Sequence, residues 1–306
     1  MMDERKLSEL RALFPRYSSA MCEADWLFYR SFDPVHFVRL AAQFRLPPYL
    51  SEPDGVGKDL IPDNADMFEQ TRQSFFRFVR YLSSETLTLF LLSGYPFGPA
   101  PCQMEKLRGK KLNRVFVELS AGTVPESFRL FRGKTALEFS EWFNVLAFGG
   151  FSSDSDYCKR VAEFVSGECA MIANREGINA YKHGRVQKSV KGQAFQLRLN
   201  EEDRAQPLLK SMKGAIHWLG WNEKSENSEL VHTIKFGFEE VDDEVDYDII
   251  VASGALMSAI AKIRRKRMEG ATSFDVFLPD MDVGRQFNQR MTFESATTWS
   301  LNGGGE

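Results

Sequence analysis

The run DYCKRVAEFVSGECAMIANREGINAYKHGRV, Asp156–Val186, decides how this chain is read. At about 100° per residue, Tyr157, Val161, Phe164, Met171 and Ile178 stack on one helical face. Glu168, Arg175, Asn179 and Lys182 fall on that same face. Such a face is expected to be buried, and charge on a buried face needs a partner. Glu168 and Arg175 stand two turns apart, about 10 Å along an axis that rises about 1.5 Å per residue, so a bridging group or a second helix must join them. Arg175 and Asn179 are four apart, as are Asn179 and His183, and each pair can touch. Two arrangements fit the pattern. One is an internal ion-pair and hydrogen-bond network that locks helices together. The other is a functional site on the inner edge of a bundle, where buried charge tends to collect.

Before this run, the chain reads as a series of helices. Lys6–Phe14 and Glu23–Arg30 are short and apolar on one side, and Ser31–Phe44 opens with Asp33 as N-cap and Pro34 in first position. Pro47–Asp63 is rich in breakers and reads as an irregular loop. Asn64–Gly94 predicts a long helix with a break at Ser83-Ser84, and Gln103–Ser120 predicts one continuous helix. Thr135 to Glu138 has the spacing of a reciprocal capping box opening the helix Thr135–Phe148.

Past His183 the period changes from helical to alternating. Ala194–Leu199, Ala215–Trp221 and Glu229–Phe238 predict strands, with Asn222–Ser228 as a turn. Val241–Met268 returns to a helix, with a stripe of Val245, Ile249, Ala252, Leu256, Ile260 and Ile263. Acids open it and the basic run Lys262–Arg267 closes it, matching the helix dipole at both ends. Phe274–Leu278 predicts an edge strand. The expected fold class is therefore mainly α, a helical bundle with a small antiparallel β insertion. Its organisation is residues 1–62 as an N-terminal helical segment and loop, 63–284 as the bundle with the insertion near 193–238, and 285–306 as a flexible tail.

Composition narrows the function classes. The 306 residues carry a net charge of −3, which speaks against nucleic-acid binding by the whole surface but permits a local basic patch. Two clusters qualify: Lys106, Arg108, Lys110, Lys111 and Arg114, and the run holding Arg264, Arg265 and Arg267. Each fits a solvated face or a phosphate-facing patch. The four cysteines have neither pair spacing nor zinc spacing, and His217 with His232 make a poor metal pair, so no metal or cofactor is expected. No secretory signal and no run near 18 apolar residues is evident, so a cytoplasmic protein without a membrane role is expected. No nucleotide-binding, zinc-protease or serine-hydrolase signature occurs.

His183 closes the predicted central helix ahead of Gly184, which suits a left-handed C-cap. Beside Arg175 and Asn179 it offers a general acid or base next to a cation that can neutralise phosphate. The segment Arg175…Asn179-Ala180-Tyr181-Lys182-His183-Gly184 resembles the helix end of HEPN-like helical proteins. That family is an α-helical bundle in which many members are ribonucleases of toxin or phage-defence systems. The resemblance implies Arg175 and His183 as a metal-independent catalytic pair supported by Asn179; the polar stripe and the basic patches add Glu168, Lys182, Lys110, Lys111, Arg264, Arg265 and Arg267 as candidate binding residues. Seven residues separate Arg175 from His183, more than the family's spacing, and Glu176 stands where Asn is frequent. RNA, a protein partner or a second copy of the chain are the candidate partners. A non-enzymatic interaction module, with the polar stripe purely structural, and a helical small-molecule pocket fit the same residues.

Overall fold

The computed structural model describes residues 2–44, 65–149, 155–173, 186–190, 195–197, 206–209, 214–226, 229–240, 242–271, 273–279 and 289–293. It is mainly helical with a small antiparallel β insertion. In chain order the helices are α1 (Glu4–Leu13), α2 (Ser19–Ser31), α3 (His36–Ala42), α4 (Ala65–Leu92), α5 (Ala100–Lys106), α6 (Gly109–Ser120), α7 (Phe139–Phe148), α8 (Ser155–Ala173) and α9 (Asp243–Met268). No helix among the described residues is long and apolar enough to cross a membrane.

The chain forms two compact units. The first comprises Met1–Arg39, Leu82–Ala173 and Asp248–Glu306, and the second Leu40–Tyr81 and Asn174–Tyr247. In the first unit, α6 and α7 pack on α8, and α2 packs on α1 and α5. Trp142, Phe143, Phe116, Phe128, Phe90 and Tyr157 are among its fully buried side chains. Burying an indole requires a partner for its N–H; Trp142 Nε1 donates to the Phe128 carbonyl at 2.6 Å. Gly254 of α9 lies where an added Cβ would meet Val38 Cγ2 at 2.5 Å, so the helix faces the α2–α3 corner at a separation only glycine permits. Phe274–Leu278 pairs antiparallel with Gln289–Phe293.

In the second unit, Val186–Val190, Gly214–Glu226 and Glu229–Glu240 form a three-stranded antiparallel sheet with the second of these in the middle. Phe195–Leu197 pairs with Gln206–Leu209.

Several local expectations change. The first strand of the long hairpin continues to Glu226, through residues expected to turn. His217 stands opposite Gly237 and His232 opposite Glu223. Thr135–Ala136 is a strand paired with Phe131–Arg132, and the following helix starts at Phe139 with no side-chain cap bond from Glu138. The backbone pairing has taken the residue expected to serve as cap. Gln103–Ser120 is two helices, because Gly109 adopts φ +62°, a left-handed conformation that breaks the helical path. Helix α4 runs unbroken through Ser83 and Ser84, both fully buried. Gln289–Phe293 is a strand inside the stretch expected to be a tail.

Candidate functional site

Helix α8 buries Tyr157, Cys158, Val161, Ala162, Val165, Glu168, Cys169 and Ile172. On a helical wheel the centre of this face lies about 70° from the face expected from sequence. Phe164 and Met171, expected at the centre, sit half-buried at its edge. Glu168 is buried as expected, and its Oε2 accepts from Ser84 Oγ of α4 at 2.7 Å. One turn along α4, Thr88 Oγ1 lies 3.5 Å from Cys169 Sγ and also donates to the Ser84 carbonyl. Burial pushes the Cys169 thiol up to about 12, so it is neutral and unreactive at physiological pH. Arg175, Asn179, Lys182 and His183 lie outside the described residues.

The basic run on α9 is not one surface. Arg265 is exposed, while Arg264 and Arg267 turn inward and line a cleft of about 30 Å³ with Asp25, Tyr29, Tyr95 and apolar neighbours. Arg264 Nη1 donates to the Phe90 carbonyl at 2.7 Å and to Tyr29 Oη at 3.1 Å. Its Nη2 donates to the Leu91 carbonyl at 2.8 Å and the Leu146 carbonyl at 3.0 Å. Those carbonyls belong to the last turns of α4 and α7, where intrahelical partners run out and the dipole is negative. The guanidinium also lies 5.0 Å from the Phe90 ring centroid. Arg264 is therefore a fork that closes two helix ends. Burial, together with the neighbouring Arg264 charge, lowers the proton affinity of Arg267.

Asp25 of α2 is 3% exposed and accepts a hydrogen bond from the Ala100 backbone N–H at the start of α5. It shares the cleft with Arg264, but the described guanidinium bonds go elsewhere. Burial pushes its carboxyl up to about 6, against the pull of the Ala100 N–H and Arg264. The Tyr17 hydroxyl is buried near this carboxyl and near Gly98, without a hydrogen bond of good geometry. Sequence reasoning missed Asp25. A signal was present: it shares the apolar side of α2 with Cys22 and Tyr29, at helical spacings of three and four.

A second polar cluster lies in the other unit. Asp246 of α9, 0% exposed, accepts from Arg77 Nε and Arg80 Nη1 of α4, each at 2.8 Å, while Asp243 meets Arg72. This cluster turns Asp243 and Asp246 of the first α9 turn inward and leaves Val245, expected in the apolar stripe, 42% exposed.

The third feature is the junction of α5 and α6. Lys106, Arg108, Lys110 and Lys111 are all exposed, and α6 has no acidic residue in its first turn. Arg108 pairs with Glu105 of the preceding helix, and Arg114 with Glu118 and Glu126. Lys106, Lys110 and Lys111 have no acidic partner among the described residues. Also among these residues, no three of His, Cys, Asp and Glu converge as metal ligands would. No protein-family model, no curated protein and no solved structure matches this chain.

Proposed function

We propose that this chain is a helical nucleic-acid-associated module that meets single-stranded RNA along the basic junction of α5 and α6. One observation carries this reading: Lys106, Arg108, Lys110 and Lys111 project exposed positive charge within six residues, at a helix start whose dipole already repels cations. Such an arrangement costs folding stability and is relieved by an anion, which polyphosphate supplies with counterion release. The resemblance of Arg175…His183 to the HEPN-like helix end adds metal-independent RNA cleavage as the associated chemistry, in which the 2′-hydroxyl attacks its own phosphate while His183 moves the proton and Arg175 holds the charge.

The test is fluorescence anisotropy with a labelled single-stranded RNA across a salt series. Lys110→Glu/Lys111→Glu should weaken binding at least tenfold and shallow the log–log salt slope by about 2, roughly one per lysine. No binding by the wild-type protein at low salt ends the reading. Cleavage is tested separately by incubating RNA with wild type and with His183→Ala in the presence of chelator. Equal cleavage by the two removes the enzymatic part alone.

A second reading, a protein-interaction module, draws on a different surface. Leu27 of α2 is 59% exposed and Leu13 of α1 45% exposed, with Trp26 beside Leu27 in an open groove. A Leu27→Asp variant that leaves oligomeric state and partner recovery unchanged counts against it.

A further inference from the structure

Helices α6 and α7 both pack on α8, and the end of one and the start of the other leave an open groove of about 620 Å³ against it. Ligand-sized sites span about 300–1,000 Å³. The walls are Ser120–Gly122 at the α6 C-terminus, Glu138–Ser140 at the α7 start and a stripe of α8 that carries Lys159 and Glu163.

Two carboxylates in this groove are unspent. Glu138 is the N-cap residue of α7, yet its side chain makes no cap bond, so the carboxylate is not used on the helix start as a capping oxygen would be. Glu163 follows Lys159 by four residues, a spacing at which a helix offers an ion pair. That pair is not closed, and neither Glu138 nor Glu163 has an ion-pair partner among the described residues. The neighbouring glutamates are treated otherwise. Glu105 is met by Arg108, Glu118 and Glu126 by Arg114, and Glu141 by Arg132.

The rest of the lining selects the same guest. Helix α6 turns the negative end of its dipole toward the groove. Phe139, half-buried, adds an aromatic wall, its ring stacked on the buried Trp142 with centroids 5.8 Å apart. Carboxylates, a helix C-terminus and an aromatic ring together suit a planar cation. The same carboxylates repel a polyanion, and the hydroxyls of Ser120, Ser140 and Ser166 do not suit an apolar helix. Lys159 opposes a cation, and so sets the sign of one test below. The groove is open, which suits a side chain carried in by a peptide better than an enclosed small molecule.

We propose that this groove docks an arginine-bearing basic segment of a partner protein, with a guanidinium held by Glu138 and Glu163 beside Phe139. The inference does not rest on the RNA reading, which concerns the other end of α6. The 12 residues of that helix separate the two surfaces by about 18 Å at about 1.5 Å per residue. Exposed cations gather at its start and unpaired carboxylates at its end, so the two ends take guests of opposite charge.

The experiment is amide NMR of the full-length, isotope-labelled chain titrated with the blocked peptide acetyl-Ala-Arg-Ala-Arg-Ala-amide. Shifts should saturate and cluster at Ser120–Gly122, Phe139–Ser140 and Lys159–Ser166. Glu138→Gln/Glu163→Gln should weaken the peptide about tenfold, since each exposed ion pair contributes up to about fivefold. Lys159→Ala should tighten it about twofold. A peptide with citrulline in place of arginine keeps the shape, loses the charge and should leave these amides unmoved. Absence of shifts, or shifts scattered over the other acidic residues, overturns the proposal. So does equal binding by wild type and Glu138→Gln/Glu163→Gln. Groove shifts produced by the citrulline peptide or by single-stranded RNA also overturn it, because they assign the groove to a neutral or polyanionic guest. Both glutamates are exposed, so the paired variant is expected to fold. Should it not, the sign of Lys159→Ala and the citrulline peptide decide: tightening by the first and silence from the second support the docking site, and either opposite result overturns it.

Discussion

Asp25 and Asp246 are both carboxylates almost wholly removed from water, at 3% and 0% exposure, yet the protein treats them differently. Asp246 receives two guanidinium groups at 2.8 Å. Asp25 receives one backbone N–H, and the nearby Arg264 spends its donors on helix-end carbonyls and Tyr29. Burial raises both carboxyls, and it pushes Asp25 up to about 6. What separates them is the charge of the partner. An opposing ion in contact offsets desolvation, whereas an amide dipole offsets only part of it. One aspartate is met by two guanidinium groups and the other by a backbone amide.

That contrast can be broken at its strongest point first. Asp246→Ala leaves the buried Arg77 and the half-buried Arg80 without their carboxylate, and should cost roughly 3–5 kcal/mol in chemical denaturation; a loss under 1 kcal/mol would show that the ion cluster is idle. Asp25 comes next. A raised folded pKa contributes stability that is fully present below about 3.9 and lost as pH rises through about 6. Relative to Asp25→Asn, the wild-type protein should therefore gain up to about 2 kcal/mol between pH 7 and pH 4, read as the difference between two denaturation series. A flat difference would place Asp25 with the fixed ions. Arg264→Lys keeps the charge but loses the fork that reaches Phe90, Leu91 and Leu146 together, and should cost roughly 2 kcal/mol. Smallest of all, Lys110→Glu/Lys111→Glu should change stability by less than about 0.5 kcal/mol or raise it slightly, since acids suit a helix start. A large loss there would mean that the lysines are structural rather than available to a partner.

The same contrast explains what was legible in the residues. Helical periodicity located α4 and α9 and the strand Phe274–Leu278 closely, because apolar spacing reports burial directly. It placed Glu168 in the interior, and the structure supplies Ser84 as its partner. It misjudged the rotation of α8 by about 70°, since Cys158, Ala162 and Cys169 are small and weigh little in a wheel dominated by Phe164 and Met171. It treated the ends of α9 as dipole matching, whereas Asp243 and Asp246 at one end and Arg264 at the other are drawn inside by particular partners. The Arg175, Asn179 and His183 constellation lies outside the described residues and belongs to the proposed function alone.

By itself the sequence determined the helical class, the antiparallel insertion and the places where charge would accumulate, because those follow from spacing along one chain. Only the tertiary structure decided which of those charges meet an ion, which meet a helix end, and which, like Asp25, meet a single amide. That choice depends on residues such as Ala100, Phe90 and Leu146, distant in sequence and contributing only backbone atoms, whose identities carry no trace of the bond they make.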